Sequence, residues 1–478
     1  MKETLKGNLL FVGGDLSGIQ KFIYNVSSKK AAVSLKGRSE YLCLYTKEVY
    51  DRLTNLPPVK SAGVQEVYCS SGKFYFITSD TAEIREAITQ CSREIESALW
   101  EEQHGQLAIA ICYVPFVFAE DGKQVVINEQ SGTIGLLWKA ITPLFAARKK
   151  QAFRHILTAD YDQMFDIIPV GGDVKVCAVT GIESANCKKI DTDLFVLPSV
   201  EEQIKLGEDL RNKEHFKTFE DYADETYLGI LRMDVDGLGA RFIREFKDLE
   251  EYSQFSNRLK RFFDHEYAAS ENRNVYFIQQ KDYYRNDLNI IYAGGDDLFA
   301  VGRWDKIIEF AAEVRQQFMC HMQGEGVTIS GGIAIVHPKF PIAKAAILSG
   351  EAEEKAKTYN DGKNAICFFN RCVSWNEEYD EVLQMKNEML YQINANGVSK
   401  GLLQQLMIYA QMAERGDLKY LWHATYYLTR MIKEKQNSPA KEYLQNLRDK
   451  QITRGKAHML LIAMAARWAE QELRINKH

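Results

Sequence analysis

Apolar and polar positions divide the chain into four stretches. In the first 118 residues the short apolar runs Leu9 to Val12, Val67 to Cys69, Phe74 to Ile77 and Leu107 to Val114 read as strands, and helical spacing appears around Glu40 to Leu53 and Ala82 to Leu99. The order β-α-β-β-α-β is that of a ferredoxin-like plait. From Ala119 to about Glu220 the pattern breaks: a helical stretch with a basic cluster (Arg148, Lys149, Lys150, Arg154) leads into a turn-rich segment holding Cys177 and Cys187, a connector and small insert. From Tyr227 the plait order returns, with strands Tyr227 to Asp234, Leu288 to Ala293, Leu298 to Val301 and Val327 to Val336, and helices around Leu238 to Tyr267 and Ile307 to His321. Beyond about Trp375, Leu/Met/Tyr-periodic stretches (Glu381 to Asn394, Gly401 to Arg415, Tyr420 to Lys435, Ile452 to Ile475) contain no proline until Pro439 and predict a helical bundle. The fold class is therefore α+β: two plaits (1–118 and 222–374), a connector with insert (119–221) and a C-terminal bundle (375–478).

The two plaits read as a repeat. NLLFVGGDLSGIQKFI beside LGILRMDVDGLGARFI puts an acid-ended apolar strand before a glycine-containing turn and a helix in both copies. VYCSSGKFYFI lies beside IIYAGGDDLFAV, matching Tyr68 to Tyr292; Asp15 precedes Tyr68 by 53 residues and Asp236 precedes Tyr292 by 56. Gly72 and Lys73 stand where the second copy has Asp296 and Asp297, so one copy keeps a carboxylate cluster and the other does not.

Composition narrows the class without naming it. With 478 residues the chain is too long for one core, and 46% hydrophobic with 26% charged residues describes a globular protein. A net charge of −5 denies the global basic field of a free-standing nucleic-acid coater. No apolar run is long enough for a membrane span, and Met-Lys-Glu-Thr-Leu-Lys-Gly lacks a signal-peptide core, so a cytoplasmic location and no membrane partner are expected. The nine cysteines are odd in number and form no Cys-x-x-Cys pair, and read as reduced core thiols.

The chemistry lies in the second plait. Asp234 and Asp236 end a strand, and Asp296 and Asp297 sit at a hairpin tip whose Gly294 and Gly295 permit a tight turn. Gly-Gly-Asp-Asp alone would be an ordinary exposed turn. If the two strands are neighbours, however, three or four carboxylates converge, a set that suits Mg²⁺ or Mn²⁺ with oxygen ligands. Two such ions would activate a ribose hydroxyl and stabilise a leaving pyrophosphate, which is nucleotidyl transfer. Lys355, Lys357 and Lys363 would neutralise a triphosphate or form a solvated helix end. Ser330, Gly331 and Gly332 in an apolar strand admit either a ligand or a second backbone. In the first plait, Gly13 to Gln20 form a turn into a helix whose amides would hold phosphate.

GDLSGIQKFIYNVSSKKAAVSLKGRSEYL, LRMDVDGLG, IYAGGDDLF and SGGIAIVHPKFPIAKAAILSGEAEEKAK with GKNAICFF closely resemble the large, polymerase-like subunit of type III CRISPR effector complexes, over nearly the whole chain. Leu35, Gly37, Arg38 and Ser39 after the SGIQ run resemble the III-A/D form. The resemblance implies synthesis of cyclic oligoadenylates from ATP when the complex captures target RNA. It implies Asp234, Asp236, Asp296 and Asp297 as the catalytic cluster, with Val235 joining Asp234, Asp296 and Asp297 in a ligand set for two ions. Gly294, Gly295, Ser330, Lys357 and Lys363 would line one nucleotide, and the degenerate first palm would hold a second ATP, with Ser17, Gly18 and Ile19 near its phosphates.

The expected partners are a small helical subunit docking on the bundle, backbone subunits, a guide-end-capping subunit, crRNA and target RNA. Basic stretches at Lys29, Lys30, Lys36 and Arg38, at Arg148 to Lys150, and at Arg258, Lys260 and Arg261 would face RNA or simply be solvated helix faces. Two departures stand out. The palm motif begins near residue 9 and no His-Asp dipeptide occurs, so HD-type DNA cleavage is not expected; and only Cys177 and Cys187 remain of the family's zinc cysteines, so no structural zinc is expected. The competing readings are a non-catalytic scaffold, a diguanylate-cyclase-like enzyme, and a synthase joining ATP to S-adenosylmethionine.

Overall fold

The computed structural model describes residues 7–26, 30–70, 72–120, 122–159, 174–191, 194–214, 216–222, 227–244, 246–263, 287–359 and 363–475. Leu9–Ser17 (β1), Gln65–Ser70 (β2), Lys73–Ser79 (β3), Ala108–Phe118 (β4), Val125–Ile127 (β5) and Gln130–Gly132 (β6) form one sheet in the order β2-β3-β1-β4-β5-β6. Lys175–Val176 (β7) pairs with Glu183–Ser184 (β8), and Lys188–Asp191 (β9) with Leu194–Val196 (β10), in the insert. Leu228–Val235 (β11), Leu288–Gly294 (β12), Asp297–Arg303 (β13), Ile329–Val336 (β14), Ala365–Phe368 (β15) and Arg371–Ser374 (β16) form a second sheet in the corresponding order, β12-β13-β11-β14-β15-β16. The four strands expected in each plait are all present. The extra pairs have three or four residues each, too short to show a period. Through β5 and β6 the first sheet continues past the expected edge at residue 118.

The helices of the first half are Ile19–Tyr24 (α1), Ala31–Thr54 (α2), Pro57–Ala62 (α3), Ala82–Gln103 (α4), Gly135–Lys149 (α5), Arg154–Ala159 (α6) and Pro198–Glu214 (α7). In the second plait they are Leu238–Arg244 (α8), Leu249–Phe263 (α9), Trp304–His321 (α10) and Ile342–Lys357 (α11). The single helix expected over Leu238 to Tyr267 is thus two, with its last residues outside the described ones. The bundle comprises Glu378–Asn394 (α12), Gly401–Glu414 (α13), Lys419–Glu434 (α14) and Ala440–Ile475 (α15), the last broken at Gly455. Among the described residues no helix is long and apolar enough to cross a membrane.

The repeat is exact enough to carry its irregularities. The β2–β3 ladder slips between Glu66 and Tyr68, and the β12–β13 ladder slips between Ile290 and Tyr292. Tyr68 then faces Tyr75, as Tyr292 faces Phe299. The register also corrects the sequence alignment, which paired Asp15 with Asp236. Asp15 lies opposite Lys73 and Asp234 lies opposite Asp297. Gly18 (φ 87°) and Gly237 (φ 73°) each follow these acids by three residues, in the left-handed region glycine enters without Cβ strain. The counterpart of Asp15 is therefore Asp234; the loops after the two strands differ in length, which misled a count from Tyr68 and Tyr292.

Both faces of β1 are covered, because Leu9 and Phe11 enter one core and Leu10, Val12 and Leu16 another. That second core also takes Leu228, Ile230, Phe299 and Val301 from the second sheet, so the two plaits share a hydrophobic interior. Their contacts are reciprocal: α2 packs on β12, and α9 packs on β2. Tyr24 meets Phe299 with ring centroids 4.8 Å apart, and Lys260 donates to the Cys69 carbonyl while lying 4.7 Å from the Tyr68 ring centroid.

Gly332 makes room for a second backbone, while Gly331 faces the Met233 side chain. A Cβ on Gly332 would lie 2.1 Å from the Glu353 nitrogen and 2.6 Å from the Ser349 carbonyl oxygen, so α11 rests directly on β14. Gly332→Ala must push a helix backbone aside and is expected to cost about 1–3 kcal/mol in urea unfolding. Gly239→Ala, whose Cβ meets nothing within 4 Å, should show no loss.

Candidate active site

β11 alternates at its end: Met233 and Val235 point into the core, and Arg232 and Asp234 lie on the partly exposed side. Gly294 pairs with Asp297, leaving Gly295 (φ 67°) and Asp296 as a two-residue turn with glycine first. The Val235 amide donates to the Asp296 carbonyl at 3.1 Å, tying the turn to the end of β11. Asp234 and Asp297 are direct cross-strand partners, an opposition of like charges that costs stability in a sheet. One carboxylate oxygen from each of Asp234, Asp296 and Asp297 lies within 4.8 Å of the other two. Among the described residues this is the one grouping of three or more acids, histidines or cysteines with metal-binding spacing.

Burial and the Asp234 charge push the Asp296 carboxyl up to about 6, with Lys73 and Lys357 pulling the other way. Asp297 is pushed well above the carboxylate range by burial and by both neighbouring acids. Lys357 hydrogen-bonds the Asp234 carboxylate and lies 2.7 Å from Glu353, which also holds Arg232 at 3.2 Å. Burial opposes the Lys357 charge, but Asp234 and Glu353 outweigh it and raise its pKa above that of ordinary lysine. A cluster whose own cations leave its carboxyls so hard to ionise fits a hard divalent cation with oxygen ligands. Asp234, Asp296 and Asp297 would hold it.

Asp236, expected in the cluster, stands apart from it. Asp236 is 8% exposed, and its Oδ2 accepts from Thr328 Oγ1 (2.7 Å), Ser330 Oγ (2.9 Å) and the Asn364 amide (3.0 Å), with Oδ1 buried and unpartnered. It therefore pins β14 and the start of β15 to the end of β11. Ser330, expected beside a nucleotide, is fully buried and serves that bracket instead. The Lys363 ammonium lies over Gly237, 3.6 Å from where a Cβ would stand. Ser17, Gly18 and Ile19 occupy in the first plait the place of Asp236, Gly237 and Leu238; Ser17 Oγ is buried without a partner, and Gly18 is exposed.

In the first plait Asp15 faces Lys73 and takes an ion pair from Lys149 at 2.7 Å, so lysines replace the acids there. The two hairpins approach each other: Tyr68 Oη lies 3.5 Å from a Cβ built on Gly295, and Tyr292 donates to the Gly294 carbonyl at 3.0 Å. Sequence reasoning missed Glu353, although its spacing of four from Lys357 puts both on one helix face. Arg232 carries no local signal, while Tyr68 reads only as a repeat position and Lys149 only as part of a basic cluster. Of the basic residues offered to RNA, Arg38 is buried and donates to the Phe22 and Asn25 carbonyls. Lys36 and Lys260 are buried, Lys30 pairs with Glu208, Arg148 with Glu96 and Arg258 with Glu325. Lys29 lies outside the described residues.

Known proteins agree with this anatomy. The family model for the second palm domain of Cas10/Cmr2 matches residues 227–367, and that for domain B of the Csm1 subunit matches residues 8–167. The single-strand-specific deoxyribonuclease Cas10/Csm1 of the subtype III-A system in Mycobacterium tuberculosis is 25% identical over 87% of this chain and 61% of its own length. The Enterococcus italicus protein of the same name is 24% identical over 82% and 58%. The chain thus spans about three fifths of the length of these relatives. The apo Csm1–Csm4 cassette matches with a TM-score of 0.66 at 21% identity, over 98% of this chain and 71% of that one. The cassette with pppApApA matches at 0.67 and 20%, over 98% and 70%.

Paired plaits with an acid trio on one of them define a twin-palm protein. The chain belongs to the Cas10/Csm1 family, the large subunits of type III CRISPR complexes.

The carboxyls of the bracket and of the trio should respond oppositely to neutralisation. Because Asp296 titrates higher folded than its ordinary 3.8, the metal-free fold is favoured by its protonated form and loses that advantage as pH rises through about 6. At pH 7.5 Asp296→Asn is therefore expected to stabilise the metal-free protein, by on the order of 1–3 kcal/mol, with the gain vanishing near pH 4. Asp236→Ala strands three donors and should cost about 2 kcal/mol or more at either pH. Denaturant titrations of both variants check this.

Proposed function

We propose that this chain is the RNA-activated oligoadenylate synthase of a type III CRISPR complex, joining ATP through 3′–5′ linkages into rings. The observation that carries the reading is the juxtaposition of Asp234, Asp296 and Asp297 on the second palm, facing a first palm that keeps the same strands and Asp15 but has Gly72 and Lys73 in place of the hairpin acids. Relatives supply parallel support: solved Csm1–Csm4 cassettes hold AMPPNP, pppApA, cA3 and cA4.

In this reading Asp234, Asp296 and Asp297, with the Val235 peptide beside them, hold Mg²⁺ or Mn²⁺, which when bound would acidify the attacking hydroxyl and neutralise the departing pyrophosphate. Asp236, Ser330 and Asn364 fix the strand ends that carry those acids. Lys357 keeps Asp234 oriented and balances part of its charge, and Lys363, over the Gly237 turn, faces the triphosphate. Ser17, Gly18 and Ile19 take the second ATP at the first palm, where Lys73 and Lys149 favour an anion and the lost acids preclude catalysis. Reaction across the palm interface follows from the reciprocal packing of the two copies.

The partners follow from the same reading. The cassettes pair Csm1 with Csm4, and a guide-end-capping subunit would dock here likewise. Leu418 at the N-cap of α14 and Trp422 and Tyr426 at four-residue steps along it are 74%, 59% and 70% exposed and offer an apolar stripe to a small helical subunit. Backbone subunits, crRNA and target RNA complete the complex. The deoxyribonuclease activity in the relatives' names belongs to longer proteins and is not assigned to this chain.

The test is mass spectrometry of products from the reconstituted complex with target RNA, Mg²⁺ or Mn²⁺, and ATP, with and without S-adenosylmethionine or GTP. Cyclic oligoadenylate is expected. Asp296→Ala combined with Asp297→Ala should lower product at least about a hundredfold with assembly intact, since the lost charge stabilisation is several kcal/mol. An adduct with S-adenosylmethionine would change the acceptor, a GTP-specific product would favour a diguanylate-cyclase-like enzyme, and no product from an RNA-bound complex would favour a scaffold.

A further inference from the structure

Behind the bracket that holds Asp236 lies a second piece of chemistry. β15 and β16 form a hairpin closed by Phe369 (φ 52°) and Asn370 (φ 62°), the paired left-handed residues of a type I′ turn. Phe368 and Arg371 close that turn as the hydrogen-bonded pair, which makes the next pair, Cys367 opposite Cys372, a non-hydrogen-bonded one. Cα atoms at such positions stand about 4.5 Å apart, within the span a disulfide bridges. Both side chains point to one face, with Ala352, Ala356, Tyr359 and Ala365, under the end of α11. Cys367 is buried and Cys372 half-buried, so one thiol is reachable and the other shielded behind it.

Each thiol shifts the titration of the other. The hydrogen bond from Cys367 pulls the Cys372 thiol below the usual cysteine range, and Lys355 favours its thiolate further. The same contact, together with burial, pushes Cys367 up. A reachable low-pKa thiol next to a shielded resolving thiol is the arrangement of a redox-sensitive pair.

We propose that Cys367 and Cys372 form a reversible cross-strand disulfide when the protein meets a hydroperoxide. The Cys372 thiolate attacks one peroxide oxygen, the O–O bond breaks, and the sulfenic acid forms as hydroxide leaves and is protonated to water. The Cys367 sulfur then attacks the sulfenic sulfur, and the displaced hydroxide takes up the Cys367 proton as a second water. Two thiols and one hydrogen peroxide thus give one disulfide and two waters, and a dithiol reverses the change. The bond ties β15 to β16 on the strand that begins beside Asn364 and Ala365, whose amides reach Asp236 and Ser330.

Peptide mapping tests this without reference to synthesis. The folded full chain is treated with hydrogen peroxide, quenched with iodoacetamide and cut with trypsin after Lys363, Arg371 and Lys386, which puts Cys367 on 364–371 and Cys372 on 372–386. The expected result is joint loss of alkylation at both cysteines and a linked pair of peptides that dithiothreitol separates. Cys372→Ser should abolish the link and leave Cys367 at least tenfold slower to oxidise than in the parent. Oxidation of Cys372 to sulfinic acid with Cys367 still free, linkage of either to another cysteine, or a link appearing only after unfolding in urea would each overturn the proposal.

Discussion

Asp234 and Asp297 face each other across neighbouring antiparallel strands, and Asp296 is added by the turn between β12 and β13. Left to itself the arrangement would push those strand ends apart, since opposed like charges in a sheet repel and partial burial withholds the water that would screen them. The surrounding structure offsets this from three sides. The Gly295 turn and the Val235–Asp296 hydrogen bond set the hairpin in place. Asp236 accepts three hydrogen bonds and clamps β11 to β14 and β15. Lys357, itself steadied by Glu353, reaches Asp234 from α11, which sits close to β14 because Gly332 carries no side chain. What remains uncompensated is negative charge at the strand ends, which a divalent cation would neutralise.

Duplication explains the rest of the architecture. Each plait lends a helix to the other's edge strand, and both edge strands carry a ladder slip just before the matching tyrosine, Tyr68 or Tyr292. The first copy has exchanged its acids for Lys73 and has neutralised Asp15 with Lys149. Its positive hairpin lies close enough to lower the Asp296 carboxyl, so the degenerate copy contributes to the electrostatics of the intact one. Loss of acids in one palm is thereby a change of charge sign across a shared interface rather than simple decay.

Much of this was legible in the sequence where local patterns determine structure. Apolar runs bounded by turn residues located all four strands of each plait, and the Gly-Gly-Asp-Asp tip announced a hairpin. The division of labour between the acids was not legible. Asp234 and Asp236 share a strand end and a sequence motif, and only the presence of Thr328, Ser330 and Asn364 on strands distant in sequence makes one a bracket and the other a cluster member. Likewise Arg38, Lys36 and Lys260 look like basic surface residues until long-range packing buries them against Phe22, Phe216 and Tyr68. The alignment of Asp15 failed because loop lengths vary between copies, whereas ladder register does not.

In the proposed mechanism the trio, without Asp236, would hold the divalent cation. Diffraction from crystals soaked in Mn²⁺ at pH 7.5, collected at the manganese absorption edge, tests it most directly. Anomalous density is expected among the carboxylates of Asp234, Asp296 and Asp297 and none at Asp236. Density at Asp236, or a trio that stays metal-free with Lys357 still seated on Asp234 at saturating Mn²⁺, would contradict it.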